Sequence, residues 1–254
     1  MTLALRQTWY MTQRGLRELF RQPVWVALTL IQPMIWILLY GQLFKYLGTV
    51  PGFGGSYIDY LTPGIVIMTA LFSGGWSGFG VIEDINRGVT DRFLVSPVRR
   101  GSIAAGRLGQ LGIVAGIQSA ILLTVGFVLG ASYTLGIVVL VVGAILLGAS
   151  FGSLSMALGL VVRREETLIA AVNFIILPLT FLSTIFMLKT LMPGWMESTV
   201  SFNPVEWAVE AGRAALAATP DWDVVLRNLG YLVLLLAATT MIAIRSFRVY
   251  QKAA

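Results

Sequence analysis

One uncharged run, residues 108–162, restricts the fold of this chain more than any other feature. It contains 55 residues and no charged side chain. A single helix of that length would measure roughly 80 Å, whereas the hydrocarbon layer of a bilayer is about 30 Å thick. The run therefore predicts two membrane spans that turn back at residues 130–133. Since 57% of the chain is hydrophobic and 12% is charged, a membrane protein is favoured over a soluble domain.

Further apolar runs extend this prediction to an all-α polytopic membrane protein, a single transmembrane domain over residues 1–254. The six predicted spans cover residues 24–44, 61–82, 108–130, 135–162, 167–188 and 224–244. The segment 1–22 is interpreted either as an amphipathic helix lying in the membrane interface or as a positively charged topology signal. The segment 189–218 is too polar to span as a whole, and its apolar pieces predict a re-entrant external helical hairpin.

The basic residues predict the orientation of the chain. With six spans, 14 of the 18 Lys and Arg residues lie on the side of both termini and 4 on the other side. Because basic loops are retained in the cytoplasm, both termini are predicted to be cytoplasmic, in the plasma or inner membrane. Glycines spaced four apart inside the predicted spans are interpreted as helix-packing faces: Gly74/Gly78, Gly112/Gly116 and Gly148/Gly152.

The residues that most enzyme chemistry needs are missing. The chain has no Cys and no His, and none of its three lysines follows a glycine, as the lysine of a nucleotide-binding P-loop does. The carboxylate pairs 83–84 and 165–166 adjoin arginines, which favours solvated ion pairs over catalysis. Apart from Arg227 near an end, no charge lies inside a predicted span, whereas ion-driven carriers rely on buried charges. We expect no enzyme activity, catalytic residue or metal site, and an external energy source.

The most charged stretch, residues 83–100, follows the second predicted span. Acidic and basic residues recur there every fourth position, and apolar residues repeat on a second face. This pattern predicts an amphipathic helix over 83–96, which Gly88 can bend and Pro97 ends. The segment is either a handle that a protein outside the membrane grips or an ordinary cytoplasmic loop with solvated charges.

Three motifs carry a family resemblance. The charged stretch contributes Glu83, Arg87, Gly88, Asp91, Arg92, Ser96, Pro97 and Arg100, and the motif continues to Gly106 and Arg107. An external Pro-x-Trp after the fifth span contributes Pro193 and Trp195. An Asn-Pro followed by an aromatic residue and an arginine contributes Asn203, Pro204, Trp207 and Arg213. In this order and at these positions, they resemble the permeases of ABC type-2 exporters, most closely the daunorubicin-resistance type.

One departure from the family pattern lies after the fifth span. Many members carry a Gly and a Pro there, where this chain has Thr184 and Met187 or Leu188. The external helices are therefore expected to enter at a different angle.

The resemblance implies a permease subunit that exports a lipophilic or amphipathic compound, drug-like or lipid-like. It implies two separate ATPase subunits, which hold ATP and Mg, and a second permease copy or homologue. This chain itself is expected to bind no cofactor and no nucleic acid. The helix 83–96 is expected to be a coupling helix seated in a groove of the ATPase, through Glu83, Asp84, Arg87, Gly88, Asp91, Arg92, Phe93 and Pro97.

The substrate pathway is expected where the first, second and fifth spans meet at the dimer interface. Its candidate residues are Gln32, Trp36, Tyr40, Asn173, Phe174 and Phe181. Such an aromatic lining suits an amphipathic compound better than a charged solute, although each side chain could equally face lipid or packed core. Within the family the alternative substrate is a polysaccharide or lipid-linked sugar. The alternatives outside transport are a membrane enzyme acting on lipids and a structural assembly protein.

Overall fold

A computed structural model describes residues 3–20, 23–46, 56–89 and 100–253 of the chain. These residues are almost entirely α-helical and contain no β-strand. The helices, numbered here in chain order, are α1 (Leu3–Phe20), α2 (Pro23–Leu43), α3 (Tyr57–Trp76), α4 (Gly78–Asn86), α5 (Arg100–Val128), α6 (Ile137–Val162), α7 (Glu165–Phe181), α8 (Gly194–Val200), α9 (Pro204–Leu216) and α10 (Trp222–Ala253). A 3-10 turn, Lys189–Leu191, precedes α8.

Long apolar helices make this an integral membrane protein. Within the described ranges, four stretches are long and apolar enough to cross a bilayer: Tyr57–Asn86, Ala105–Val128, Ile137–Val162 and Trp222–Phe247. In α2 the apolar stretch found is the shorter Thr29–Leu43, and α7 has 17 residues. The all-α class is confirmed, whereas six spans and a re-entrant hairpin remain predictions.

The end predicted for the fifth span, residue 188, is wrong. Helix α7 ends at Phe181, and residues 182–188 are not helical. The side-chain amide of Asn203 donates to the carbonyls of Leu179 (2.7 Å) and Leu182 (2.5 Å). These bonds satisfy carbonyls that the amides of a longer helix would otherwise satisfy.

The second span and the charged segment also differ from the prediction. The helix starts at Tyr57, where the Ser56 side chain accepts from the Ile58 amide, and runs to Asn86 with a single break at Ser77. Glu83 and Asp84 therefore belong to the last turn of this helix rather than to a separate helix over 83–96. Gly88, with φ of +65°, follows the helix end in the left-handed conformation that glycine tolerates. Asp91, Arg92, Phe93 and Pro97 lie outside the described residues.

Helix α6 is the centre of the bundle. It packs against α3, α4, α5, α7, α9 and α10, and Leu140, Ala144 and Leu147 on it are fully buried. It packs closely on α3, because small residues let the two backbones approach. A Cβ atom on Gly148 would lie only 3.0 Å from the Ala70 carbonyl oxygen.

Only some of the glycines predicted from their spacing to form packing faces contact a neighbouring helix. Gly74 lies so close to the Gly148 backbone that a Cβ atom there would overlap the Gly148 carbonyl. Gly116, in contrast, has open space where a Cβ atom would lie. The face predicted at Gly112/Gly116 is therefore wrong at Gly116, because spacing alone does not show which side of α5 meets a neighbour.

The break at Ser77 is closed by a side chain of the central helix. The Ser155 hydroxyl accepts from the Gly78 amide (3.0 Å) and donates to the Gly75 carbonyl. Ser77 in turn donates to the Gly152 carbonyl (3.2 Å). The backbone groups that the break frees are thus satisfied inside the bundle, as an apolar surrounding requires.

The glycine contact between α3 and α6 gives the first prediction. Gly74→Ala places a methyl group against a backbone that cannot rotate away, and we expect a loss of about 1–3 kcal/mol in stability. Gly116→Ala, a matched change on α5, should be neutral or stabilising by a few tenths of a kcal/mol to about 1 kcal/mol. Thermal unfolding of the two purified variants measures both effects, and equal melting temperatures would contradict the packing described.

Candidate functional site

A large cavity lies between α1, α2, α3, α4, α5 and α7. Its volume is about 750 Å³, which lies in the range of sites for drug-sized molecules. Seven aromatic side chains form much of its wall: Trp36, Phe72, Trp76, Phe79, Phe181, Phe186 and Phe247. Its polar lining includes Thr29, Gln32, Thr69, Ser73, Gln110, Gln118 and Thr180. The cavity therefore combines an aromatic body with several hydrogen-bonding groups.

A cluster of charges forms another part of the cavity lining. Asp84, which is 9% exposed, pairs with Arg107 and with Arg14 (3.0 Å). Arg107 also donates to the Gly80 carbonyl (3.3 Å). Because Asp84 lies on α4, Arg14 on α1 and Arg107 on α5, these ion pairs join three helices.

Two of the residues predicted to contact the ATPase line this cavity. Glu83 and Asp84 both contribute to its wall. Glu83 forms the expected ion pair with Arg87 (2.5 Å), whereas Asp84 is buried between two distant arginines and is not the solvated neighbour expected from the sequence. Arg87 and Gly88 lie at the end of α4. Their contact with an ATPase remains a prediction.

The candidate pathway residues separate into two groups. Gln32, Trp36 and Phe181 line the cavity. Tyr40 packs with tilted rings between Trp36 (ring centroids 4.7 Å apart) and Phe44 (5.4 Å). Asn173 donates to the Ile169 carbonyl of its own helix, and Phe174 is 82% exposed. The cavity does not include Tyr40, Asn173 or Phe174, and it adds walls from α1 and α5 that the sequence did not predict.

The non-helical residues 182–188 carry one wall of the cavity. Phe186, in the middle of this segment, packs on Trp36 with ring centroids 5.3 Å apart. Tyr57 donates to the Phe186 carbonyl (3.2 Å), and the Tyr60 hydroxyl lies 2.8 Å from the carbonyl oxygens of Thr184 and Met187. The start of α3 thus holds the segment from one side.

Helix α9 holds the same segment from the other side. Glu206 accepts from the Thr184 amide (2.8 Å) and from its hydroxyl (2.9 Å). Arg213, about two turns further along α9, donates to the Thr184 hydroxyl (2.9 Å) and to the Tyr60 carbonyl (2.9 Å). The Arg213 guanidinium also lies 3.6 Å from the centroid of the Tyr60 ring, in cation–π geometry. We name Tyr60, Thr184, Glu206 and Arg213 the α9 clamp.

Burial determines the protonation behaviour of Glu206. Its side chain is 7% exposed, and this burial raises its pKa, while the two hydrogen bonds from Thr184 and the charge of Arg213 act in the opposite direction. Arg213 therefore matters twice, because it satisfies carbonyls of the segment and stabilises a buried carboxylate.

The motif residues before the last span have separate positions. Asn203 caps α9 by accepting from the Val205 amide (2.9 Å), and Pro204 occupies the first turn. Pro193 stands directly before α8, and Trp195 is 66% exposed. Asn203 and Arg213 meet at residues 182–188, whereas Pro193 and Trp195 do not join them. Any role of these residues in transport remains a prediction.

Sequence reasoning missed Glu206, Gln118 and the pairing of Arg14 with Asp84. Hydropathy predicts that α9 belongs to a polar external segment, yet the Glu206 side chain on it is buried. The departure from the family pattern at Thr184 was a sequence signal for this cluster, because the Thr184 hydroxyl joins Glu206 to Arg213. Among the described residues, no group of three or more His, Cys, Asp or Glu side chains is placed to hold a metal ion.

Comparison with known proteins identifies a family and several relatives of this chain. The family described as ABC-2 type transporter matches residues 6–217. The daunorubicin resistance ABC transporter permease protein DrrB1 of Streptomyces coeruleorubidus is 31% identical over 208 residues, which cover 80% of this chain and 72% of that protein. The inner membrane transport permease YadH of Escherichia coli is 27% identical over 229 residues, 86% of each chain. The putative transport permease ycf38 of Pyropia yezoensis is 28% identical over 211 residues, 81% of this chain and 72% of that one.

The helical fold, its cavity and these similarities define a membrane transport permease. The chain belongs to the ABC-2 type transporter family. Members of this family are transport permease subunits that normally work with an ATP-binding subunit. The resemblance seen in the sequence motifs is thereby confirmed.

The charge cluster at Asp84 gives a second prediction. Asp84→Asn leaves Arg107 and Arg14 without their counter-charge, and we expect a loss of about 1–3 kcal/mol in stability. The loss is smaller than for a fully buried pair because Arg14 is 39% exposed. Glu83→Gln removes only the exposed pair with Arg87 and should cost about 0.3–0.5 kcal/mol. Thermal unfolding compares the two variants, and a larger effect at Glu83 would contradict this assignment.

The α9 clamp gives a third prediction. Thr184→Val keeps the shape of the side chain but removes the hydroxyl that bonds Glu206 and Arg213, and we expect a loss of about 1–3 kcal/mol. Thr180→Val is the matched control, since its buried hydroxyl only donates to the Ile176 carbonyl of its own helix (2.8 Å). Proteolysis at residues 182–188 should accelerate in the first variant and not in the second. Equal cleavage rates would show that the clamp does not hold the segment.

Proposed function

We propose that this chain is the permease subunit of an ABC exporter that moves a lipophilic or amphipathic compound out of the cytoplasm or the inner leaflet. The observation that carries the proposal is the cavity of about 750 Å³, with its aromatic wall and its cluster of charges. Flat aromatic side chains bind apolar ring systems, while the polar groups orient a head group. The similarity to a permease named for daunorubicin resistance supports a substrate of this kind.

The proposed assembly contains two copies of an ATP-binding subunit and a second permease, either a copy or a homologue. In it, α2 and α7 complete a set of six spans, the segment 189–218 dips into the outer face, and both termini face the cytoplasm. ATP and Mg are held by the partner subunit. An aromatic lining also binds sugars, but the apolar residues around these rings favour a lipophilic substrate over a polysaccharide.

The proposed mechanism uses the contact between α4 and the cavity. Glu83 and Asp84 line the cavity and lie one turn from Arg87 and Gly88, the residues expected to meet the ATPase. A displacement of this end of α4 therefore acts directly on the cavity wall. In this proposal the break at Ser77 is the point at which the end of α4 moves relative to the tightly packed α3. Nucleotide binding would thus select between two arrangements of the wall.

The direct test is transport in vesicles that contain the purified permease and its ATP-binding subunit. ATP should drive daunorubicin or a similar aromatic amphiphile across the membrane, and the compound should stimulate ATP hydrolysis. Failure of the chain to co-purify with any P-loop ATPase would contradict the transporter assignment. Stimulation by lipid-linked sugars and not by aromatic amphiphiles would overturn the substrate class.

Charge reversal at Arg87 gives a fourth prediction. Arg87→Glu replaces an exposed ion pair with two acids four residues apart, at the surface proposed to contact the ATPase. We expect substrate-stimulated ATP hydrolysis to fall about fivefold or more while the permease keeps its melting temperature. Lys189→Glu, the same reversal on the opposite proposed side of the membrane, should leave stimulation unchanged. Normal stimulation in the Arg87 variant would show that this turn does not couple the subunits.

A further inference from the structure

One glutamine on the cavity wall has a hydrogen-bonding atom that the protein does not use. Gln118 lies on the face of α5 that lines the cavity together with Arg107, Gln110, Leu111 and Val114. Its side chain is 4% exposed. The Gln118 amide nitrogen donates to the Thr29 hydroxyl (3.3 Å), whereas its carbonyl oxygen, Oε1, is buried and has no partner.

A buried amide oxygen without a partner is costly, and proteins rarely retain one without a reason. The other polar groups nearby on α5 do not share this condition. The Gln110 amide donates to the Gly15 carbonyl (3.2 Å), and the Ser119 hydroxyl donates to the Ala115 carbonyl (2.7 Å). Gln118 is therefore set apart by its chemistry as well as by its place on the cavity wall.

The neighbourhood indicates which donor would fit. Gln118 is eleven residues from Arg107, a rise of roughly 16 Å along the helix, so it is far from the charges around Asp84. Trp36 and Phe72 belong to the wall of the same cavity. A neutral donor on an aromatic framework matches this setting, because an ammonium group would lack a counter-charge there.

We propose that the Gln118 side-chain amide turns toward the cavity when an aromatic, multi-ring compound binds there, so that Oε1 receives a hydrogen bond from a neutral hydroxyl or N–H group of that compound. The assignment rests on the proposed export function and narrows it, since it selects ring systems with a hydroxyl over plain hydrocarbons. A hydrogen-bonding site discriminates against an analogue that lacks the matching group, because its own polar atom is then left unpaired.

The test uses two fluorescent probes that differ by one oxygen, 1-pyrenemethanol and 1-methylpyrene. Both are titrated into the purified permease in lipid nanodiscs without ATP-binding subunit, and binding is followed by quenching of tryptophan emission. Partition of each probe into lipid is the same for all variants, so the ratio of the two affinities is compared between variants. Relative to Gln118→Met, the native protein should favour the alcohol about five- to tenfold, the ratio expected from one net hydrogen bond.

Gln110→Met is the matched control. It makes the same replacement on the same helix and in the same cavity, at an amide that is already bonded, and it should keep the native preference. An equal preference in native protein and Gln118→Met would show that Oε1 does not bond the alcohol and would overturn the proposal, as would failure of the native protein to bind the alcohol. If Gln118→Met does not fold, the native protein is compared with empty nanodiscs. An equal ratio of the alcohol affinity to the hydrocarbon affinity in the two samples would then overturn the proposal. Because the binding measurement omits the ATP-binding subunit, it tests Gln118 even if the complete transporter does not export the compound.

Discussion

The backbone of residues 182–188 imposes the main physical constraint on this structure. A helix that ends inside an apolar bundle exposes carbonyl and amide groups that lipid cannot satisfy. The α9 clamp, with Asn203 and Tyr57, satisfies them from two sides. The burial of Glu206 and Arg213 is thus a consequence of the early end of α7. The same bonds fix Phe186 against Trp36, so the shape of the cavity depends on a network whose members do not line it.

The elements that the sequence predicted well are those that hydropathy alone determines. The apolar run at 24–44 corresponds to α2, and the uncharged run at 108–162 divides at Gly130 as expected. The missed features depend on partners that are distant in sequence. Asn203 ends α7 through bonds to residues more than twenty positions earlier, and no local pattern around residue 181 encodes that. Likewise Asp84 pairs with Arg14 and Arg107 and not with a residue at helical spacing. The lack of a partner for the Gln118 oxygen is a result of how α5 packs against α2.

The cavity and the expected contact with the ATPase meet at α4. This helix is short and follows a break that Ser155 of the central helix bridges with two hydrogen bonds. On one side of the break, glycines pack α3 closely against α6; on the other side, charged residues of α4 line the cavity. A closely packed core therefore lies beside a wall held by ion pairs, and ion pairs exchange partners more readily than packed glycines separate.

The attachment of α1 has a consequence for how the chain is made. The Thr12 hydroxyl donates to the Gly106 carbonyl, a residue that lies 94 positions later. At the usual rate of about 5–20 residues per second, the ribosome needs roughly 5 to 20 s to supply that partner. During this interval the first helix has no docking surface on α5. The docking of α1 on α5 is therefore a late event in the synthesis of the chain, although α1 is the first helix described in it.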